Sequence, residues 1–412
     1  MQLPYLTRHF AGIGGSIKQQ AEDFFVQEIP AYEASGEGEH TYAEIQKINL
    51  TTMDAVNQIA GALGVSPRDI GYAGLKDARA LTRQVISIFG TTPEAVMNLH
   101  VPNITVQWAA RHGNKLRLGH LSGNRFAIKI RDVTPTDVIK LRPVIDVLEK
   151  RGMPNYFGEQ RFGRRGDNHM LGAALVRNDD AALLKHLLGS PDPSLDDMDG
   201  MRARAAFDSE NYELAMRLFP RRSGMERRVL ARFIKTQNAA AAVKTVDERL
   251  RRLWVSALQS HMFNEVLARR IDTIDKLFDG DIACKESGAC FPVELAAVEQ
   301  PRCDAFEISP TGPLVGYRMR FPEKEPLAIE QTALAAMELK PENFRSEGRH
   351  KVKGARRALR VRPKDIQLEG GVDAHGAYIT VAFTLPAGSY ATMFLRELMK
   401  TDSAEPTAAG PA

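Results

Sequence analysis

The chain has 412 residues, 43% of them hydrophobic and 26% charged, the balance of a soluble globular protein with room for a large core and two domains. No apolar run approaches a membrane span. The start, Met1-Gln2-Leu3-Pro4-Tyr5-Leu6, lacks the charged lead and long apolar stretch of a signal peptide, so a cytoplasmic protein is expected. A net charge of +4 decides little, but its distribution says more. Arginine doublets recur at 164–165, 221–222, 227–228 and 251–252. The run from Arg345 to Lys364 adds Arg349, Lys351, Lys353, Arg356, Arg357, Arg360 and Arg362 against the single acid Glu347. Such a stripe fits a polyanion partner, the alternative being a solvated face with acids packed nearby. Three cysteines, Cys284, Cys290 and Cys303, are an odd number without Cys-x-x-Cys spacing, which predicts free thiols and neither a disulfide framework nor a zinc site.

In chain order, Gly12, Gly14 and Gly15 follow no clear strand and open no amphipathic helix, so they make a poor dinucleotide loop. Residues 24–29 read as a strand ended by Pro30, and residues 42–48 as a second strand. Residues 52–63 carry apolar side chains at helical spacing and stop at Gly64. The stretch 70–84 then sets Gly71, Tyr72 and Gly74 before Lys76-Asp77, with Arg79 and Arg83 following. Three neighbouring cations would favour the ionised form of Asp77. Alone, Asp77 reads as a turn aspartate in a surface ion pair. Residues 85–89, 104–108 and 126–131 read as strands, with turns at 111–115 and 121–125. Thr136 is a candidate cap for a helix through Leu148, kinked or broken at Pro143.

From Gly152 the sequence turns mainly helical, with candidates at 173–188, 212–218 and 243–270. The Trp and Met of the last are expected in a core, and His261 within it is expected to be packed. Strand pattern resumes at 376–385, and Ser389 is a candidate cap for a last helix through Met399. The tail 401–412 is small, polar and Pro-containing, and is expected to be disordered. Strands, then helices, then strands indicate an α+β protein with a discontinuous core and an inserted helical domain. Phosphate-loop, His-Glu-x-x-His and Gly-x-Ser-x-Gly motifs are absent from the sequence.

Several segments together are similar to the TruD family of tRNA pseudouridine synthases. They are residues 22–28 (Glu-Asp-Phe-Phe-Val-Gln-Glu), 71–77 (Gly-Tyr-Ala-Gly-Leu-Lys-Asp), 111–112 with 115–119, 123–126 (Gly-Asn-Arg-Phe), 154–163 (Pro-Asn-Tyr-Phe-Gly-Glu-Gln-Arg-Phe-Gly), 257–264, 385–392 and 396–398. Each is weak, but they lie in family order from end to end. The resemblance implies a pseudouridine synthase core, a mixed, mainly antiparallel sheet with flanking helices, spanning 1–154 plus 356–412. It also implies an inserted helix-rich α+β domain over 155–355. The implied reaction isomerises uridine to pseudouridine, most often at position 13 in the D arm of tRNA, without cofactor, metal or ATP.

Asp77 matches the family's catalytic aspartate. A carboxylate suits the chemistry as nucleophile or as charge partner for an oxocarbenium-like sugar. Lys18 resembles the family's basic partner, ahead of Lys76, whose side chain diverges from that of its neighbour. Its alternative is a surface lysine. Phe24, Asn124 and Tyr390 match substrate-contacting positions, Tyr390 standing where relatives carry Phe. Phe126 either faces the pocket or fills the core. Arg79, Arg83, Arg161, Arg356 and Arg357 are candidates for RNA phosphates, Arg161 at a hinge that is structural first. A monomer with tRNA as partner, and no membrane or metal, is expected. The rivals are a methyltransferase, which needs a better glycine loop, and a non-catalytic RNA-binding or chaperone protein using the same basic cleft.

Overall fold

A computed structural model of the chain describes residues 3–345 and 352–401. The expected tail beyond Thr401, with Glu347, Arg349 and Lys351 of the basic stripe, lies outside the described residues. One unit is built from Tyr5–Met153 and the residues described from Val361 on, and the other from Pro154–Arg360.

The first unit begins with strands β1 (Phe24–Pro30), β2 (His40–Ile48), β3 (Ile70–Tyr72), β4 (Leu81–Phe89), β5 (Ile104–His112) and β6 (Leu121–Arg131), and with helices α1 (Thr52–Leu63), α2 (Pro93–Met97) and α3 (Val138–Arg151). Helix α1 forms where the apolar spacing places it. Thr51 and Asp54 close a capping box at its start, and Gly64 ends it in the left-handed region at φ 68°. The turn expected at 121–125 is instead strand, whereas of 111–115 only Arg111 and His112 belong to a strand, the end of β5. Gly123 and Asn124 of β6 pair with Ile29 and Glu28 of β1, and a Cβ on Gly123 would lie 2.5 Å from the Leu385 carbonyl oxygen. The glycine is there for close strand approach and not for a turn. Helix α3 starts at Val138 with Asp137 as its N-cap and continues past Pro143.

The second unit carries α4 (Asn168–Arg177), α5 (Asp180–Leu188), α6 (Met198–Asp208), α7 (Tyr212–Leu218), α8 (Gly224–Thr236), α9 (Ala239–Val243) and α10 (Glu248–Arg269), then α11 (Ala296–Asp304) and α12 (Lys324–Ala336). Its sheet runs β10-β9-β7-β8, from β7 (Ile282–Lys285), β8 (Cys290–Pro292), β9 (Ile308–Leu314) and β10 (Ala355–Ala358). The single helix expected over 173–188 is two. Asn178 turns left-handed at φ 57°, and Asp179 caps the next helix by accepting from the Ala182 N–H. Trp254 of α10 is 1% exposed and lies in the helical core, as its stripe position predicts. The thiols of Cys284 and Cys290 face each other across β7 and β8 at 2.6 Å.

The chain then returns to the first unit through β11 (Lys364–Asp373), β12 (Gly376–Pro386) and α13 (Ala391–Met399). Helix α13 has Tyr390, not Ser389, at its N-cap. The eight-stranded sheet runs β11-β12-β6-β1-β4-β2-β5, with β3 added on β4. Every neighbouring pair is antiparallel except β1 with β4. Two antiparallel halves therefore meet at one parallel seam. The α+β class and the mainly antiparallel sheet agree with the sequence reading. On one face, Ala43, Ile45, Ile86 and Ile88 pack on Ala55, Val56 and Ile59 of α1. Phe383 of β12 lies against both Phe126 and Phe394, with ring centroids 5.2 and 4.3 Å away.

In the second unit, His261 of α10 stacks on His169 of α4 at 4.1 Å, with Phe162 edge-on to both. Burial pulls the His261 imidazole down to about 3, helped by His169, and pulls His169 down as well. Both bind protons less readily folded than unfolded. Their contribution is complete above about pH 6.5 and is lost as pH falls from there toward 3. Urea unfolding at pH 7.5 and pH 5.0 should cost the wild type about 1–2 kcal/mol more than His261→Gln. Equal losses in the two proteins would contradict this.

Candidate active site

The parallel pairing of β1 with β4 registers Phe25 with Leu81 and Gln27 with Arg83. Parallel strands start at the same end, so the segments leading into β1 and β4 arrive side by side. The first carries Lys18 and the second carries Asp77. Lys18 Nζ donates to Asp77 Oδ2 at 3.1 Å, with the lysine side chain 7% exposed and the aspartate 45%. The cation is thus covered and the carboxylate open.

The Lys18 segment is fixed by its backbone. The Ile13 and Gly14 N–H groups donate to the carbonyls of Leu398 and Met399, and Ser16 exchanges two hydrogen bonds with Arg131 at 3.0 and 2.8 Å. Gly15 has φ 86°, and a Cβ there would sit 2.6 Å from the Arg131 carbonyl oxygen. This is the work of the glycine run that resembled a poor dinucleotide loop. Lys18 itself has φ 60°, a left-handed conformation costing about 1 kcal/mol in a residue with a Cβ. Arg131 is anchored in turn by Asp23, at 2.6 Å through both Nε and Nη2, and by Asp373 at 2.9 and 3.0 Å. Those hydrogen bonds hold the Arg131 guanidinium above its ordinary value and the Asp373 carboxyl below its own.

The Asp77 loop rests on buried polar groups. Lys47 of β2, 1% exposed, donates to the carbonyls of Leu50 at 2.6 Å and Asp77 at 3.2 Å. Burial pulls its ammonium down to about 8, against the attraction of Asp77. The Lys76 N–H donates to Thr52 Oγ1 at 2.9 Å, and that hydroxyl donates to Gln84 at 3.0 Å. Lys76 turns away from its neighbour. Its Nζ donates to Asn124 Oδ1 at 2.6 Å and forms an ion pair with Glu28 Oε2 at 3.0 Å, although without hydrogen-bond alignment. On the edge of β4, β1 pairs as far as Arg83, and β3 takes over at Ile86. At that handover the Val85 N–H donates to Glu28 Oε1 at 3.4 Å. Burial pushes the Glu28 carboxyl up, with Lys76 pulling the other way.

Sequence reasoning missed Glu28 and Lys47 as site residues. The available signal was register. Glu28 shares the face of Phe24 and Val26, and Lys47 that of Ala43 and Ile45, so each is a charge on a buried face.

Other candidates fall differently. Phe24 is 3% exposed with the Lys18 ammonium 4.6 Å above its ring, so it supports the lysine and offers no open stacking face. Phe126 is 6% exposed and stacked on Phe383. Asn124 and Tyr390 are both half-buried. Arg79 is exposed, while Arg83 lies over Phe25 and donates to Gln46 at 2.8 Å.

The other arginines are held by protein partners. Arg356 forms two hydrogen bonds to Glu330, at 2.6 and 3.0 Å, in an ion pair with side chains 5% and 1% exposed, and it also donates to Thr311. Arg357 is held by Asn155 and lies over Phe157, and Arg161 donates to Ser256 and Ser260. Their guanidinium groups are engaged inside their own unit, because strand and helix neighbours supply acceptors that the linear charge pattern does not reveal.

A cleft of about 870 Å³ in the first unit is lined by Gln27, Glu28, Glu44, Val85 and Arg125 among others, but not by Asp77 or Lys18. It marks the open polar face beside the handover, and the ion pair carries the stronger chemical signal. Among the described residues no group of three or more His, Cys, Asp or Glu side chains is arranged to hold a metal.

The model of the family tRNA pseudouridine synthase D (TruD) matches residues 1–398. The chain is 46% identical over 400 residues to the tRNA pseudouridine synthase D of Geotalea daltonii, covering 97% of this chain and 100% of that one. It is 45% identical to the tRNA pseudouridine synthase D of Geobacter metallireducens, covering 96% and 97%. A crystal structure of a chain assigned to TruD from Methanosarcina mazei superposes with a TM-score of 0.86 at 30% identity, covering 97% and 99%. With its seam, its ordered motifs and these full-length relatives, the chain belongs to the TruD family of tRNA pseudouridine synthases.

Proposed function

We propose that this chain isomerises a uridine of tRNA to pseudouridine at position 13 of the D arm, with Asp77 as the reacting carboxylate and Lys18 as its ionic partner. The observation that carries this reading is the 3.1 Å ion pair between a covered ammonium and a half-open carboxylate. The reaction breaks the bond from C1′ of ribose to N1 of uracil, turns the base, and joins C1′ to C5. The C5 hydrogen leaves and N1 gains one, so atoms balance without another reactant. The sugar carries positive charge as the first bond breaks, and the open carboxylate of Asp77 meets that charge or bonds to it. Lys18 keeps the carboxylate aimed, and its own cover keeps it from replacing Asp77 at the substrate.

The target base must leave its stack to reach such a site. Asn124 and Tyr390 are its polar and aromatic contacts in this reading, and Arg79 and Arg83 contact phosphate. The domain reading belongs to the same proposal: a synthase core of 1–154 with 356–412 around the family's insertion at 155–355. So do a monomeric state and a cytoplasmic location. Among the described residues no helix is long and apolar enough to cross a membrane.

With tRNA tritiated at uridine C5, the wild type should release tritium without added cofactor. Asp77→Asn should lower release by about three orders of magnitude or more, with tRNA affinity within several-fold. Lys18→Met should lower kcat by about ten- to a hundredfold. Undiminished turnover in Asp77→Asn would sink the assignment.

The arginine contacts give a second test. Arg79→Gln should weaken tRNA binding and flatten its dependence on salt. Arg356→Gln should leave affinity unchanged and lower stability by about 3 kcal/mol, because it strands Glu330 in a buried site. The reverse pattern in a filter-binding and melting experiment would restore Arg356 to the RNA surface.

A further inference from the structure

Asn124 is gripped from one side. Its Oδ1 accepts from Lys76 Nζ at 2.6 Å. An ammonium carries only donors, so the amide cannot be turned over without setting donor against donor. Its Nδ2 therefore faces away from Lys76. Among the described residues this Nδ2 has no hydrogen-bond partner, and Asn124 is only half-buried.

Lys76 is gripped as well. Glu28 Oε2 lies 3.0 Å from its Nζ, with side chains 7% and 1% exposed. Glu28 is fixed by the Val85 N–H and stands directly opposite Asn124 in the β1–β6 ladder. The three side chains form a closed chain whose two ends are registered by backbone. A buried ion pair is a weak source of stability, since desolvation offsets much of its attraction. Orientation is what this one delivers.

We propose that Glu28 and Lys76 are positioning residues that lock Asn124 with its amide donor toward the substrate, so that the site accepts a pyrimidine with a carbonyl at C4 and rejects one with an amino group there. The proposal rests on the reading of Asn124 as a base contact. An unrestrained asparagine is ambivalent. It can offer Nδ2 to the O4 of uracil or, turned over, Oδ1 to the N4 amine of cytosine. With Oδ1 committed to Lys76, only the first pairing remains. Cytosine would then leave two donors facing each other, and the site would reject it. The O2 carbonyl, which both bases share, cannot supply this discrimination.

The test compares tRNA substrates carrying uridine, 4-thiouridine or 2-thiouridine at the target, with the C-nucleoside product quantified by chromatography. Sulfur accepts hydrogen bonds poorly. Wild-type kcat/KM should fall about tenfold for 4-thiouridine and less than about twofold for 2-thiouridine. Lys76→Met and Glu28→Gln should raise KM for the uridine substrate more than they lower kcat, and should shrink the 4-thio penalty to below about threefold. Asn124→Asp keeps an acceptor for Lys76 but has no donor. It should lose the penalty too, and it serves if a Lys76 variant fails to fold. A penalty that follows the 2-thio position, or that survives in Lys76→Met or Asn124→Asp, would overturn the proposal. Absence of wild-type turnover on uridine itself would instead overturn the functional reading beneath it.

Discussion

The parallel seam between β1 and β4 is the constraint on which the site depends. Three registered pairs, from Phe25–Leu81 to Gln27–Arg83, join two otherwise antiparallel half-sheets. Had these strands met antiparallel, the segments before Phe24 and before Leu81 would leave opposite ends of the sheet, and Lys18 could not reach Asp77. The seam also creates the handover on β4 from β1 to β3, the place where a backbone N–H needs a partner and finds the Glu28 carboxylate. The catalytic candidates and the group that positions Asn124 are thus consequences of one topological choice.

Around that seam the first unit buries charge in an ordered way. Lys47 lies under the Asp77 backbone, Lys76 reaches across to Glu28 and Asn124, and Arg131 holds the glycine segment that carries Lys18. Each buried cation is matched by a carboxylate or by carbonyl oxygens, which is the condition for tolerating it away from water. Stability alone is a poor reason for such wiring, because apolar side chains of similar size would serve as well. Its effect is to fix a loop, which on its own would be mobile, to a sheet that is not.

Much of this was legible in the sequence. Helix α1 with its terminal glycine, strand β1 ended by Pro30, strand β12 and the final helix all follow from spacing and punctuation. Asp77 follows from the ordered motifs and Lys18 from the family resemblance, since nothing in composition separates them from surface residues. Local pattern failed where a partner decided the outcome. Gly123-Asn124 read as a turn because glycine and asparagine favour turns, yet strands on both sides pull them into the ladder. The helix expected at 173–188 broke because Asn178 and Asp179 cap more strongly than the apolar stripe around them propagates. In the run at 355–362, Glu330, Thr311 and Asn155, which accept from Arg356 and Arg357, are distant in sequence, so the linear charge pattern does not reveal them. Glu28 and Lys47 could have been found by asking which charges fall on the buried register of a strand.

The most direct test of the account is a crystal structure of the Asp77→Asn protein bound to a tRNA whose target uridine is intact. The account predicts a uridine turned out of its stack, its C1′ in contact with residue 77, its C4 carbonyl on the Asn124 amide, and Lys18 still covered at its back. A target uridine bound away from residue 77, with the Lys18 segment unengaged, would contradict it.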